Sequence, residues 1–376
     1  MGVSPAALGD VLEQFHENFR DNGELGASVS VWWRGTELLN EGRGWCERDH
    51  RRPWIADTLV PVYSATKGPS AAALLLALDE HGLGVETPVR EVWAEFPVKA
   101  NFGELLSHQC GLAALDRPAD AWDHAAIVGA IEAQQPAWLP GEGHGYHPRT
   151  FGTLVDEPVR RLTGMPLGRF WNERVAAPLG LEFWIGLPKS EYFRVAELHP
   201  GRAKVGGTES VFYKEFAREG SLSFRAFRSP TGFRSVREMN DPKAWQAGFP
   251  AKGGVGTASA LAKFYQVAIG ALPGPFSERV ITALGTRRIQ GEDRVLMQPT
   301  AFSAGCQMDP LDDGGRKVRG LYGPELGAFG HPGAGGSHAF GDPENGISFA
   351  YTMNQMELSV LPGRKSTAMV DRLYGE

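Results

Sequence analysis

A serine and a lysine three positions apart, Ser64 and Lys67, are the pair in this sequence best suited to nucleophilic catalysis. On a helical turn, residues at i and i+3 share a face, so the Lys67 amine can reach the Ser64 hydroxyl. A serine hydroxyl attacks poorly until a neighbouring base takes its proton, and a lysine acts as that base when burial lowers its pKa. The alternative interpretation is a Ser/Thr-rich helix start with an incidental lysine, because the pattern fixes only two positions.

A tyrosine in a glycine-rich loop is a second candidate for proton transfer. Tyr146 lies in the segment EGHGYHPRTFG, directly before a run at 154–162 that predicts a helix. A phenol at a loop tip can point into a cleft, and beside a lysine it can become a phenolate that relays a proton. The alternative is a tyrosine whose ring only packs. His144, His147 and Glu142 in the same loop suggest zinc, but no His-Glu-x-x-His or Cys-x-x-Cys pattern supports it, so we expect no metal.

The third candidate element is a glycine-rich stretch at residues 329–336, FGHPGAGG. A strand this rich in glycine packs poorly and suits a place where substrate lies close against the backbone. The Ala334 amide can then join the Ser64 amide in an oxyanion hole, which stabilises the negative oxygen of a tetrahedral intermediate. The alternative is a simple turn.

The elements that must position these residues follow from the hydrophobic pattern. Strand-like segments gather toward the two ends of the chain, at residues 27–33, 37–44, 58–62, 301–309, 325–330, 338–342 and 346–353. Helices are predicted at residues 6–19, 70–81, 154–162, 259–271 and 366–374. The remaining chain up to about residue 254 is mostly helical or consists of loops rich in proline and glycine.

Strands, then helices, then strands again predict an α+β fold. We expect an antiparallel β-sheet flanked by the terminal helices, with an inserted, mostly helical lobe. The sheet domain is placed at residues 1–63 plus 255–376 and the helical domain at residues 64–254. Because ligands bind preferentially between domains, we expect the active site in the cleft between the two.

Composition excludes several classes of protein. The 376 residues are 42% hydrophobic and 22% charged, which is typical of a globular chain and not of a disordered one. The net charge of -6 argues against a nucleic-acid or membrane partner. Three cysteines exclude a disulfide scaffold, and the first residues lack the pattern of a signal peptide. We therefore expect a cytoplasmic protein with a small-molecule substrate, whose oligomeric state the sequence leaves open.

Taken in order, Ser-x-x-Lys, the later tyrosine and the glycine-rich strand resemble the β-lactamase-like serine hydrolases. This superfamily includes penicillin-binding proteins, class C β-lactamases and the family VIII carboxylesterases. Residues 105–112, LLSHQCGL, look like its Leu-Leu-x-His-x-x-Gly-Leu segment. Residues 252–258, KGGVGTA, are similar to its glycine-rich entry to a late helix. The resemblance covers nearly the whole chain.

The resemblance implies roles for individual residues. Ser64 matches the family's nucleophile, Lys67 the lysine that activates it, and Tyr146 the tyrosine that acts as general base or acid. The amides of Ser64 and Ala334 then form the oxyanion hole. The resemblance implies no metal and no organic cofactor.

Substrate-binding roles follow from the same resemblance. His331 takes the place of the lysine in the family's Lys-Thr-Gly strand motif, and Gly333 that of its glycine. His147 lies inside the loop where the family has Tyr-x-Asn. We therefore expect these three residues to contact substrate.

Departures from the family pattern favour an esterase similar to the family VIII carboxylesterases. His331 and Pro332 replace the lysine and threonine that hold the carboxylate of a β-lactam, and Pro148 replaces the loop asparagine. A histidine of unperturbed pKa is mostly neutral at neutral pH, and proline has no N–H. We therefore expect an acyl-enzyme on Ser64 with weak or no β-lactamase activity. The alternatives are a β-lactamase or D-stereospecific peptidase, an acyltransferase, and an inactive binding or sensor homologue.

Overall fold

The computed structural model describes residues 2–201 and 210–375 of the chain. Its helices are, in chain order, α1 Pro5–Asp21, α2 Lys67–Glu80, α3 Phe102–Leu106, α4 His124–Glu132, α5 Phe151–Thr163, α6 Leu167–Trp171, α7 Ala177–Leu179, α8 Ser210–Ala217, α9 Leu222–Ala226, α10 Val236–Met239, α11 Pro242–Ala247, α12 Ala258–Ala268, α13 Glu278–Gly285 and α14 Arg364–Tyr374. Its strands are β1 Gly26–Trp33, β2 Thr36–Gly44, β3 Val60–Pro61, β4 Phe183–Ile185, β5 Gly254–Gly256, β6 Ile289–Glu292, β7 Pro299–Phe302, β8 Gln307–Met308, β9 Phe329–Pro332, β10 His338–Asp342 and β11 Ile347–Met353.

Strands from the two ends of the chain form one antiparallel sheet, as the sequence predicts. The eight strands run in the order β2-β1-β11-β10-β9-β8-β7-β6. The first and last strands pair along their length, from Ala27 opposite Met353 to Trp33 opposite Ile347. A hairpin turn joins the two strands predicted at residues 27–33 and 37–44. Arg34 and Gly35 both have positive φ, which matches the twist of the flanking strands.

Helices cover both faces of this sheet, which explains why its central strands are buried throughout. On one face, Val29 and Phe349 pack with apolar residues of the terminal helices α1 and α14. On the other face, Ser348 donates a hydrogen bond of 2.6 Å to the carbonyl of Ala262 in α12. Alternation along each strand therefore sends apolar side chains to one helix layer and small polar ones to the other.

Three short strands from the middle of the chain form a separate sheet, in the order β3-β5-β4. The predicted strand at 58–62 contributes β3 here, where Val60 lies opposite Gly256. The structure also departs from the predicted strands elsewhere. The run 301–309 forms two strands, β7 and β8, and the edge strand β6 was not predicted because its mostly exposed residues show no hydrophobic alternation.

Helix α2 is enclosed on nearly all sides, since every residue from Lys67 to Leu78 is buried. It begins three residues before the predicted start at residue 70, so Pro69 lies in its first turn, where a backbone N–H has no helical partner to lose. Gly68 allows a close approach to α12, because a Cβ there would lie 2.6 Å from the Tyr265 hydroxyl. No helix within residues 2–201 and 210–375 combines the length and apolar character needed to cross a membrane.

Candidate active site

Ser64 is presented by a sharp turn between β3 and α2. The preceding Tyr63 has φ 49° and ψ −132°, a conformation that L-residues rarely adopt and that the surrounding structure must hold in place. Thr66 does so, because its hydroxyl donates to the Tyr63 carbonyl at 2.5 Å and accepts from the Gly254 amide at 2.9 Å. The turn is thereby tied to β5, and Ser64 begins the short 3-10 segment that leads into α2.

Lys67 is completely buried and lies 3.2 Å from the Ser64 hydroxyl, measured from Nζ to Oγ. Its other two contacts are the carbonyls of Pro148, at 3.0 Å, and Ala251, at 2.8 Å. Burial lowers the pKa of Lys67 well below the usual lysine value of 10.5. A neutral amine has two N–H donors and one lone pair, so the two carbonyls and the Ser64 hydroxyl satisfy it completely. This geometry is that of a general base.

Tyr146 is also buried, with 6% of its surface exposed, and its ring centroid lies 4.8 Å from Lys67 Nζ. Burial raises the pKa of Tyr146 well above its ordinary value, and a hydrogen bond with Ser64 opposes that rise only in part. The phenol therefore keeps its proton. The phenolate considered from the sequence is disfavoured, and a protonated Tyr146 beside a neutral Lys67 is arranged as a general acid beside a general base.

The backbone of Tyr146 is held by a carboxylate that the sequence analysis missed. The Tyr146 amide donates to both oxygens of Asp293, at 3.0 and 3.1 Å. Asp293 is 1% exposed and accepts three further hydrogen bonds, from the amides of Val295 and Leu296 and the hydroxyl of Thr300. It follows the edge strand β6, so the large sheet directly fixes the loop that carries Tyr146. A carboxylate within the charged run GEDR resembles a surface residue, and no local pattern distinguishes it.

The expected substrate contact by His147 is wrong. Its Nε2 accepts from the Leu112 amide at 3.0 Å, so the proton lies on Nδ1, which donates to the Gly145 carbonyl at 2.7 Å. Its backbone amide donates to Nδ1 of the fully buried His108 at 3.2 Å. Burial lowers the pKa of His147 to about 3, so both ring nitrogens remain committed within the protein. His147 shapes the loop and offers nothing to a ligand.

His331 lies in the site but carries no charge. Its ring centroid is 5.8 Å from that of Tyr146, and it is 2% exposed. Burial lowers its pKa to about 3. Its Nδ1 lies 2.8 Å from the Pro332 carbonyl, while the buried Nε2 has no partner among the described residues. A neutral imidazole at this point cannot act as a cationic anchor for a carboxylate.

The glycine-rich strand end lies against the turn that presents Ser64. A Cβ on Gly333 would lie 2.0 Å from the Val62 carbonyl oxygen, so only glycine permits this approach. The amides of Gly333 and Gly335 donate to Ser337 and Ser359, whereas the Ala334 amide between them has no acceptor within the described part of the chain. The amide of Ala334, in the turn that follows β9, is therefore available close to the turn at Ser64.

The residues described show no group of three or more histidine, cysteine, aspartate or glutamate side chains positioned to hold a metal ion. In the loop that suggested zinc, the His144 Nε2 lies 2.7 Å from the Thr300 hydroxyl. That hydroxyl in turn donates to Asp293. His144 is thus part of the hydrogen-bond network through which Asp293 holds Tyr146.

Known proteins match this chain along nearly its whole length. A family model described as Beta-lactamase matches residues 11–372. The esterase/beta-lactamase LipL of Mycobacterium tuberculosis (strain ATCC 25618 / H37Rv) is 29% identical over 369 residues, which cover 94% of this chain and 83% of LipL. A solved family VIII carboxylesterase superimposes with a TM-score of 0.87 at 28% identity, covering 100% of this chain and 99% of that one. A penicillin-binding protein homolog from Caulobacter crescentus gives a TM-score of 0.85 at 31% identity, with coverage of 100% and 99%.

Proposed function

This chain belongs to the beta-lactamase family, and we propose that it is a serine carboxylesterase that cleaves small neutral esters through an acyl-enzyme on Ser64. The resemblance seen in the sequence is thereby confirmed at the level of family and fold. The chain is a hydrolase of the β-lactamase fold with esterases among its relatives. The ester substrate and the covalent intermediate are our proposal.

The observation that carries the proposal is the completely buried Lys67 amine, 3.2 Å from the Ser64 hydroxyl and without a carboxylate partner among the described residues. In the first step, Ser64 Oγ forms a bond to the ester carbonyl carbon while its proton passes to Lys67 Nζ. The carbonyl π electrons move onto oxygen, and the amides of Ser64 and Ala334 stabilise this oxyanion. Because burial lowers the pKa of Lys67, the deprotonated amine that this step requires forms more readily than that of an ordinary lysine.

Collapse of the tetrahedral intermediate breaks the bond to the alkoxide. Tyr146 donates its proton to the departing oxygen and is reprotonated by the Lys67 ammonium, so the proton taken from Ser64 leaves with the alcohol. In the second half, a water molecule attacks the acyl-enzyme and gives its proton to the same pair. Ser64 regains a proton as the acid departs, and no cofactor takes part.

The preference for neutral esters rests on what surrounds the nucleophile. A β-lactam presents a carboxylate, for which His331 supplies no charge and Pro332 no hydroxyl or N–H. Loss of one charge-assisted hydrogen bond weakens binding by about 1.5–3 kcal/mol. The name of LipL, an esterase and β-lactamase, makes slow β-lactam hydrolysis the second candidate activity.

The test measures the rates at which the wild-type enzyme and Ser64→Ala hydrolyse p-nitrophenyl acetate, p-nitrophenyl butyrate and a chromogenic cephalosporin. We expect turnover of both esters, its loss in Ser64→Ala, and labelling of Ser64 alone by a fluorophosphonate, located by peptide mass analysis. Near-normal ester turnover in Ser64→Ala, or label on another residue, contradicts the assignment. If the cephalosporin is cleaved faster than the esters, the proposed activity is wrong and the protein is a β-lactamase.

A further inference from the structure

A cavity lies next to the segment whose Ala251 carbonyl binds Lys67. Its volume is about 560 Å³, and its lining includes Pro250, Ala251 and Lys252 but not Ser64 or Lys67. The carbonyl of Ala251 binds Lys67, and that of Pro250 accepts from Ser70 of α2 at 2.8 Å. The cavity therefore shares a wall with the catalytic centre without being part of it.

One wall of this cavity consists of aromatic rings. Trp122, Phe233 and Phe249 all line it. Their ring centroids lie 4.7 Å apart for Phe233 and Phe249, 5.2 Å for Trp122 and Phe249, and 5.9 Å for Trp122 and Phe233. Trp122 remains 39% exposed, which is unusual for so large an apolar side chain in a cluster. Such a wall suits a planar apolar ligand.

Two basic side chains on the lining, Arg149 and Lys252, have no carboxylate partner among the described residues. Arg149 is 8% exposed, and its guanidinium donates to the carbonyls of Gly232 and Phe233, while its buried Nε has no partner among the described residues. Burial lowers the pKa of Arg149 only to about 10, so it stays charged at neutral pH. Lys252 donates to the Phe233 carbonyl at 2.5 Å. Neither side chain forms an ion pair within the described residues, and the buried charge of Arg149 is poorly compensated by carbonyls alone. Burial and the neighbouring Arg149 lower the pKa of Lys252, and a bound carboxylate would favour its protonated form.

The carboxylate that the described lining does contain, Asp156, is already committed. It accepts from Arg160 Nε at 2.8 Å and from the Leu167 amide at 2.6 Å. Three further basic side chains line the cavity besides Arg160, namely Arg149, Arg169 and Lys252. Arg169 pairs with Glu173 and Arg160 with Asp156, so Arg149 is the lining cation whose charge no described carboxylate offsets, beside an aromatic wall.

We propose that this cavity binds a small aromatic carboxylate, with its ring against Trp122 and Phe249 and its carboxylate beside Arg149 and Lys252. The ligand supplies the negative charge that the lining lacks, and its planar body fills the space between the rings. The site is separate from Ser64 and does not depend on the proposed ester hydrolysis.

The test uses the full chain carrying Ser64→Ala, so that the result is independent of turnover. Calorimetric titration with 2-naphthoate is compared with the neutral 2-naphthylmethanol, which has the same ring system. We expect binding of 2-naphthoate at one site, at least about tenfold tighter than the alcohol, because charge-assisted hydrogen bonds to the carboxylate are lost with the alcohol. Absence of binding, or equal affinity for the two compounds, overturns the proposal.

Two variants locate the ligand. Lys252→Met should weaken 2-naphthoate about tenfold and leave the alcohol unchanged. Lys263→Met is the matched control, since Lys263 also donates to a single backbone carbonyl, that of Leu179 at 2.7 Å, and does not line the cavity. An equal effect of the two substitutions contradicts the assignment.

The second variant fills the cavity without touching its charges. Ala247 lies exposed at the end of α11 and lines the cavity, so Ala247→Trp should abolish binding of both compounds while circular dichroism shows an unchanged fold. Binding of 2-naphthoate at full affinity in Ala247→Trp places the ligand elsewhere and overturns the proposal, even where Lys252→Met fails to fold.

Discussion

Two lysines of this protein are buried to a similar extent and differ in their partners. Lys67 is 0% exposed and contacts a hydroxyl and two carbonyls. Lys365, 6% exposed at the start of α14, lies 2.9 Å from the carboxylate of Glu24, which also accepts from the Tyr351 hydroxyl. Desolvation acts on both, but only Lys365 has an opposite charge to offset it. In this pair, the lysine with a counterion is a structural tie, whereas the one beside the Ser64 hydroxyl is placed to act as a base.

The largest effect that we expect from this comparison is the loss of activity when the Lys67 amine is removed. Lys67→Met should lower kcat/KM by about 10²–10⁴-fold, the usual contribution of a general base. Because burial lowers the pKa of Lys67 in the folded state, proton binding at neutral pH favours the unfolded state, so removal of this amine should also raise the free energy of unfolding. Steady-state kinetics and urea denaturation measure the two quantities.

Lys365→Met is the matched control and should behave in the opposite way. It leaves Glu24 buried without a counterion, which should lower the free energy of unfolding by about 3–5 kcal/mol while kcat/KM of the folded enzyme is unchanged. A stabilising Lys365→Met or a destabilising Lys67→Met contradicts the distinction between the two lysines.

Tyr146 and Lys67 should act as one unit because they move the same proton. Tyr146→Phe should lower kcat by about 10²–10⁴-fold, and the double variant with Lys67→Met should be little worse than either single variant. A double-mutant cycle in kcat, measured with p-nitrophenyl butyrate, checks this. Fully additive losses show that the two residues serve separate steps.

Substrate choice should reflect the missing cation on β9. We expect kcat/KM for short neutral esters to exceed that for a cephalosporin by about two orders of magnitude, from the loss of hydrogen bonds to the substrate carboxylate. His331→Lys combined with Pro332→Thr should narrow this gap mainly by improving the cephalosporin. An unchanged ratio in a folded double variant excludes these positions as the source of the preference.

The smallest effect concerns the carboxylate that holds Tyr146. Asp293→Asn keeps the shape but weakens the hydrogen bonds to the Tyr146 amide, so kcat should fall about tenfold with little change in KM. Asp309→Asn is the control, since Asp309 also accepts from two backbone amides, those of Leu321 and Tyr322. Equal kcat values for the two variants show that Asp293 contributes to stability alone.

The parts of the fold that could be predicted from the sequence are those with a local signal. The strand β1 alternates serine with apolar residues from Ala27 to Val31, and β10 was predicted at the bounds observed. The i to i+3 spacing placed Lys67 beside Ser64. Each of these inferences depends on residues a few positions apart, which share a face or a strand whatever surrounds them.

The remaining features of the site depend on contacts between distant segments. The carbonyls of Pro148 and Ala251 complete the Lys67 environment, yet a backbone carbonyl has no sequence signature. Asp293 contacts Tyr146 across 147 positions. His147 was misassigned because a polar residue in a glycine-rich loop looks available, and only the packed structure shows that both of its nitrogens are bonded.

The most direct test of a neutral Lys67 is the pH dependence of the rate at which a fluorophosphonate labels Ser64. Since burial lowers the pKa of Lys67 and the deprotonated amine is the active form, the rate should rise with pH and reach its plateau well below 10.5, the usual lysine value. In Lys67→Met the rate should be low and without that rise. A rate that rises only at or above pH 10.5, or the same profile in Lys67→Met, contradicts the assignment of Lys67 as the base.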